Sequence, residues 1–137
     1  MGKQMSGRCA FSLVEVLLVI AVIGILSTLL MPQILNMRAQ AQTTTARQQQ
    51  AELQTALGNW IVAKSSGPGG LAAARTAYTG NKLALLQNYL QESTYASLTP
   101  ATADTVTSTA LDGAKAYLQF SSWSVGGQQP TVQWINR

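Results

Sequence analysis

The stretch Ala10-Phe11-Ser12-Leu13-Val14-Glu15-Val16-Leu17-Leu18-Val19-Ile20-Ala21-Val22-Ile23-Gly24-Ile25-Leu26 runs on through Ser27-Thr28-Leu29-Leu30-Met31 to Pro32. From Val16 to Met31 every residue is apolar or small except Ser27 and Thr28. As a helix rising about 1.5 Å per residue, Phe11 to Met31 is roughly 30 Å long, the hydrocarbon thickness of a bilayer. The run therefore predicts a membrane-spanning helix. Ahead of it, Met1 to Ala10 is a short polar leader carrying Lys3 and Arg8. A secretory signal peptide has an apolar core of about 7 to 15 residues and an Ala-x-Ala-like cleavage site. This run is longer and ends in Met31-Pro32-Gln33. Cys9 lacks the preceding apolar residues that a lipoprotein site needs and reads as an incidental leader residue.

Composition narrows the chemistry. The 137 residues allow one domain. The chain has no His, one Cys and five carboxylates, which excludes zinc fingers, metalloproteases and any Ser-His or Cys-His nucleophile. Charged residues make up 10% against a usual share of about 25%, and Gln, Thr, Ser and Ala fill the difference. Such a chain suits packing surfaces better than an active site, and no enzymatic role is expected.

Glu15 is the anomaly. An ionisable side chain inside a spanning segment costs about 2.5 kcal/mol or more at mid-bilayer and marks a functional site by default. A second reading, that Glu15 near the end of the span reaches headgroup water, stands beside it. Spacing favours the first: Phe11 and Glu15 are i and i+4, so a helix beginning at Phe11 puts a new α-amine and this carboxylate on one face if the chain is cut after Ala10. The helix dipole also favours an anion in the first turn.

Residues 10–26 resemble the N-terminal signature of type IV pilins and type II secretion pseudopilins. The resemblance implies cleavage by a prepilin peptidase between Ala10 and Phe11 and N-methylation of Phe11. It also implies a role for Glu15 in assembly, neutralising the amine of an adjacent subunit, and Glu15, Gly24 and Pro32 fall where the family commonly has those residues. The residue before the cut is nearly always Gly in that family and is Ala10 here. The implied partners are other pilins or pseudopilins in a filament, the prepilin peptidase, an inner-membrane assembly platform and membrane lipid. The leader is expected in the cytoplasm and the head outside the inner membrane.

Beyond Pro32 helical character continues. Ala39, Ala46, Leu53 and Trp60 recur every seven residues, with Leu35, Ala56, Leu57 and Ala63 beside them. One helix from about Ser12 to Lys64 is expected, roughly 80 Å long, with Gly24 and Pro32 as places where it can bend. The Gln-rich part, Gln40 to Gln54, reads as a helix buried on one side. Ser65-Ser66-Gly67-Pro68-Gly69-Gly70 ends the helix. Asn81 can cap a short helix carrying Leu83, Leu86 and Leu90. Thr105 to Thr109 has strand propensity and leads to Asp112-Gly113, a hairpin-turn signal. Lys115 to Trp123 and Thr131 to Asn136 supply two further strands around Gly126-Gly127.

The expected fold is thus α+β. A leader (1–10) precedes a membrane or filament-core helix (11–32), a second helical half (33–64) and a head (65–137) with a three-stranded antiparallel meander, which covers the second half of the helix in a pilin-like lollipop. No cofactor is expected. Calcium, which holds a loop in some major pseudopilins, has only Asp104 and Asp112 available, and it usually takes six to eight oxygens. Arg38, Arg47, Lys64, Arg75, Lys82, Lys115 and Arg137 are scattered, so no nucleic-acid track is expected despite a formal charge of +4. Gly67-Pro68-Gly69-Gly70 lacks the Lys-Ser/Thr of a phosphate loop. Tyr78, Tyr89, Tyr95, Trp123 and Trp134 are expected in the core or at subunit contacts. A filament subunit is the leading function; a membrane-anchored binding or adhesion module that never polymerises is the alternative.

Overall fold

A computed structural model describes residues 11–137. Helix α1 covers Leu13–Ser65 without interruption, with Pro32 inside it. The chain divides into two compact units between Arg38 and Ala39, and α1 contributes to each.

In the second unit α1 buries Ala46, Gln49, Leu53, Ala56, Leu57, Trp60 and Ile61. Their three- and four-residue spacing makes one stripe along the helix. Ala39 and Ala63, expected on the same seam, are exposed. Strands of five residues at most span about 17 Å, so the covered stretch is shorter than the sequence pattern. After α1, Gly69 and Gly70 take φ of 100° and 54°, a left-handed turn that favours glycine. The Ala-rich segment Gly70–Ala77 then forms α2, a helix not expected from the sequence.

Asn81 caps α3 (Lys82–Leu85), its Oδ1 accepting from the amides of Leu83 and Ala84. A 3-10 turn at Gln87–Tyr89 and α4 (Glu92–Ser97) follow. The strands are β1 (Thr99–Pro100), β2 (Thr105–Thr107), β3 (Ala116–Phe120) and β4 (Val132–Asn136), paired antiparallel in the order β1-β2-β3-β4. The meander therefore has four strands where three were expected. The added member is a two-residue edge strand, where Pro100 is tolerated because an edge does not require every amide.

The Asp112-Gly113 hairpin does not form. Ser108 instead caps α5 (Thr109–Gly113), its Oγ accepting from the Leu111 amide at 3.1 Å, and Leu111 is fully buried. Burial of Leu111 and the serine cap outweigh the local turn signal. Gly113 packs against the Gln42 side chain of α1, whose flexible end would have to shift to admit a Cβ there. The left-handed residue that turns the chain into β3 is Lys115, at φ 52°.

Ala116, Leu118 and Phe120 alternate inward along β3 and join Leu53, Leu57, Val106, Leu111 and Val132 in one core. Trp60, Tyr78 and Trp123 form an aromatic chain with centroid separations of 5.9 and 6.0 Å. Lys82 Nζ lies 4.7 Å above the Tyr78 ring, and Arg75 lies 5.7 Å above Trp123. One cation thus sits on the middle ring of this aromatic chain and another on its Trp123 end.

The glutamines of α1 have specific partners. Gln50 Nε2 donates to the Val132 carbonyl at 3.0 Å, and the Val132 amide donates to Gln54 Oε1 at 2.7 Å. Val132 sits opposite Phe120, with both of its backbone groups turned away from β3, so these two side chains stand in for a neighbouring strand on the β4 edge. Arg47 continues the cover by stacking 4.0 Å above Trp134. Gln49 is buried and lies between Ser108 Oγ, which donates to it at 2.7 Å, and Ser97 Oγ, which accepts from it at 3.1 Å.

Gln54→Ala leaves the Val132 amide without its partner and is expected to cost about 1–3 kcal/mol, read as a lower urea midpoint of the full chain in micelles. Burial, and secondarily the Asp104 carboxylate, push the Tyr78 phenol well above its ordinary value of 10.0. The raised folded pKa makes its stabilisation fully present below about pH 10 and progressively lost above it, by up to about 1.4 kcal/mol per pH unit. Denaturation curves at pH 8 and pH 11 are expected to show a steeper alkaline loss for the wild type than for Tyr78→Phe.

Candidate functional site

The first turn of α1 is built by Ser12. Its Oγ accepts from the Glu15 amide at 3.2 Å, and its carbonyl accepts from the amides of Glu15 and Val16. Ser12 with Glu15 three residues on is the Ser-x-x-Glu capping pattern, in which the hydroxyl satisfies an amide the helix leaves without a partner. The sequence carries this signal openly, and Ser12 is the site residue that reading overlooked. The Glu15 carboxylate makes no hydrogen bond or ion pair among the described residues. It is exposed, in the first turn, where the helix dipole favours a negative charge.

Phe11 precedes the cap, outside the helix, and is 81% exposed. The regular i, i+4 geometry expected for a helix starting at Phe11 is thus replaced by a capped start at Leu13. Ala10 and the leader lie outside the described residues.

Onward from Leu13 the side chains face outward on every side, and none of the most apolar window is buried among the described residues. Ser27 and Thr28, the two polar residues of the run, donate to the carbonyls of Ile23 and Ile25 at 2.7 Å. Their hydroxyls are therefore satisfied inside the helix, which is what an apolar medium requires. This helix is long and apolar enough to cross a membrane by length and composition. A Cβ on Gly24 would meet nothing within 4 Å, so no contact inside the chain calls for glycine there. Pro32 supplies no N–H to the Thr28 carbonyl, a gap in the ladder at the place where bending was expected.

The other candidates have structural partners. Asp104 pairs with Lys82 at 3.3 Å and Asp112 with Arg137 at 2.7 Å. No group of three His, Cys, Asp or Glu side chains that could hold a metal occurs among the described residues. Arg47 and Arg75 stack on tryptophans. Tyr78 is buried, while Tyr89 is 37% exposed.

The family model of the prokaryotic N-terminal methylation motif matches residues 5–31. The match covers residues 5–10 of the leader, Phe11, the capped first turn with Glu15, and the outward-facing apolar helix as far as Met31. This motif is the signature of type IV pilins and pseudopilins, and with the long apolar helix packed on a small antiparallel sheet it supports a type IV pilin-like class of protein. No curated protein and no solved structure matches the chain.

Ser12→Ala is expected to weaken the start of α1 by about 1 kcal/mol. Amide exchange at Glu15 and Val16 should accelerate about fivefold, with exchange in β3 unchanged.

Proposed function

We propose that this protein is a structural subunit of a type IV pilus-like filament, a pilin or a type II secretion pseudopilin, and that it catalyses no reaction. The observation that carries the reading is the first part of α1. Its apolar side chains from Leu13 to Met37 have no cover among the described residues, and a carboxylate without a partner among those residues stands at their start. Fully burying a Leu, Ile or Val side chain is worth about 1.5–3 kcal/mol. A surface of this size is stable only against lipid or against other apolar helices.

The helix serves both situations in turn. A prepilin peptidase removes the leader between Ala10 and Phe11 and methylates the Phe11 amine, while the helix holds the chain in the inner membrane with the head outside. At the assembly platform the helix leaves lipid for a bundle of the same helices from other subunits. Apolar contacts change little in that transfer, since lipid tails and Leu side chains are equally apolar. Selectivity then falls on the charges: Glu15, held at the helix start by the Ser12 cap, meets the Phe11 amine of a neighbour, and the pair neutralises two charges in an apolar core. Gly24, with open space around it, lets a neighbouring backbone come close.

Glu15→Ala tests the reading. The variant is expected to insert into membranes at wild-type level and to be absent from sheared filaments, an effect of at least tenfold. Normal incorporation would contradict the role of Glu15.

A further inference from the structure

Along one flank of α1 three open-sided hollows run into one another. At about 100° per residue, Thr45, Gln48, Glu52 and Thr55 lie on one side of the buried stripe, and Arg47, Gln50 and Gln54, which cover β4, lie on the other. The first hollow, of about 280 Å³, is bounded by Glu52 and Thr55 on α1 and by Tyr89, Leu90 and Gln91 opposite. A second, of about 370 Å³, shares Glu52 and Gln91 with it and adds Gln48 and Thr94. The third, of about 440 Å³, shares Gln49 and Ser97 with the second and reaches Thr109. From Thr45 to Ala56 the helix rises about 16 Å, so the groove suits an extended ligand.

Its chemistry is narrow. No Lys or Arg borders any of the three hollows. Glu52 is their one carboxylate and has no cation partner among the described residues. A phosphate or carboxylate ligand would find no counter-charge here and one repelling charge. Side-chain hydroxyls and amides supply the rest of the polar lining, each able to donate and to accept.

Part of that lining is fixed in place. Gln49 and Ser108, 8% and 5% exposed, are bonded to each other, and Gln49 holds Ser97. Ser97 in turn donates to the Thr94 carbonyl, and the Thr94 hydroxyl donates to Glu52 Oε2 at 2.6 Å. Glu52 Oε1 has no partner among the described residues, on a groove-lining carboxylate that the Thr94 hydroxyl holds in place. At the end of the groove the Tyr89 ring, 37% exposed beside Leu90, offers an apolar face with a polar tip.

We propose that this groove binds a neutral oligosaccharide. A sugar chain presents hydroxyls that donate to a carboxylate and exchange hydrogen bonds with amides and hydroxyls, and its rings carry C–H faces that stack on an aromatic side chain. An extended peptide would pair along an open strand edge, and the edge nearest the groove is the two-residue β1, where Thr99 borders the third hollow and Pro100 has no amide to donate. The groove belongs entirely to residues 45–110, so the inference stands apart from the filament reading.

The test uses the full chain in lipid nanodiscs, with maltotetraose, cellotetraose and chitotetraose each added to about 10 mM while amide NMR signals are followed. At least one is expected to shift the signals of Gln48, Glu52, Tyr89 and Gln91 saturably, with a dissociation constant on the order of 1 mM or tighter. Glu52→Ala and Tyr89→Ala should each weaken binding about tenfold, and Glu52→Gln, which keeps an acceptor, should weaken it less. Both sites are on the surface, and unchanged signals from β3 will show that the fold is intact. Failure of all three sugars to shift the groove overturns the proposal. So does tighter binding of tetragalacturonate, whose carboxylates the groove should repel, a larger shift of the same signals by a polar Gly-Ser peptide, or binding that survives both alanine variants.

Discussion

The structure depends on the need of one helix to find cover for two different surfaces. A single helix of 53 residues has no tertiary packing of its own to hold it, and a sheet of four short strands has an apolar face to bury. In the second unit the two needs meet: the stripe from Ala46 to Ile61 closes one face of the sheet, and Leu118, Phe120 and Val132 close the helix. From Leu13 to Met37 the side chains find no such cover among the described residues. That contrast along one element is the physical basis of the functional reading, because a surface left bare by its own fold is completed by something else.

The Gln-rich part of α1 serves the same economy. A helix beside a sheet edge meets backbone groups as well as side chains, and an unpaired amide there is costly. Gln50 and Gln54 reach the two outward groups of Val132, and Gln49 joins Ser97 and Ser108. Polar residues therefore border the apolar stripe on both sides: one border seals an edge, and the other leaves a hydroxyl-lined groove. Low overall charge follows from this use of amides and hydroxyls where other proteins place ions.

Much of this architecture can be read in the sequence, and what escapes has identifiable causes. The extent of α1 follows from its apolar run and seven-residue seam, β3 and β4 from alternation around Gly126-Gly127, and the α3 cap from Asn81. These are periodic or local signals. α2 and α4 are short and weakly patterned, and β1 is two residues long, below the length at which alternation can be seen. Asp112-Gly113 misleads because the burial of Leu111 and the closeness of Gln42 to Gly113 are tertiary facts. The glutamine contacts join residues 78 and 82 positions apart, beyond any local pattern. At the N-terminus Glu15 stands out because a charge in an apolar run is costly, whereas the Ser12 cap needed only a three-residue spacing to be noticed.

The central claim is that Phe11 becomes the first residue, so that its amine supplies the partner that Glu15 does not find among the described residues. Mass spectrometry of the N-terminal peptide, from membranes of a host with a prepilin peptidase, measures this directly. The account predicts a chain beginning at N-methylated Phe11. A chain that retains Met1 or Gly2 in such a host would contradict it, and the apolar helix would then be a plain membrane anchor.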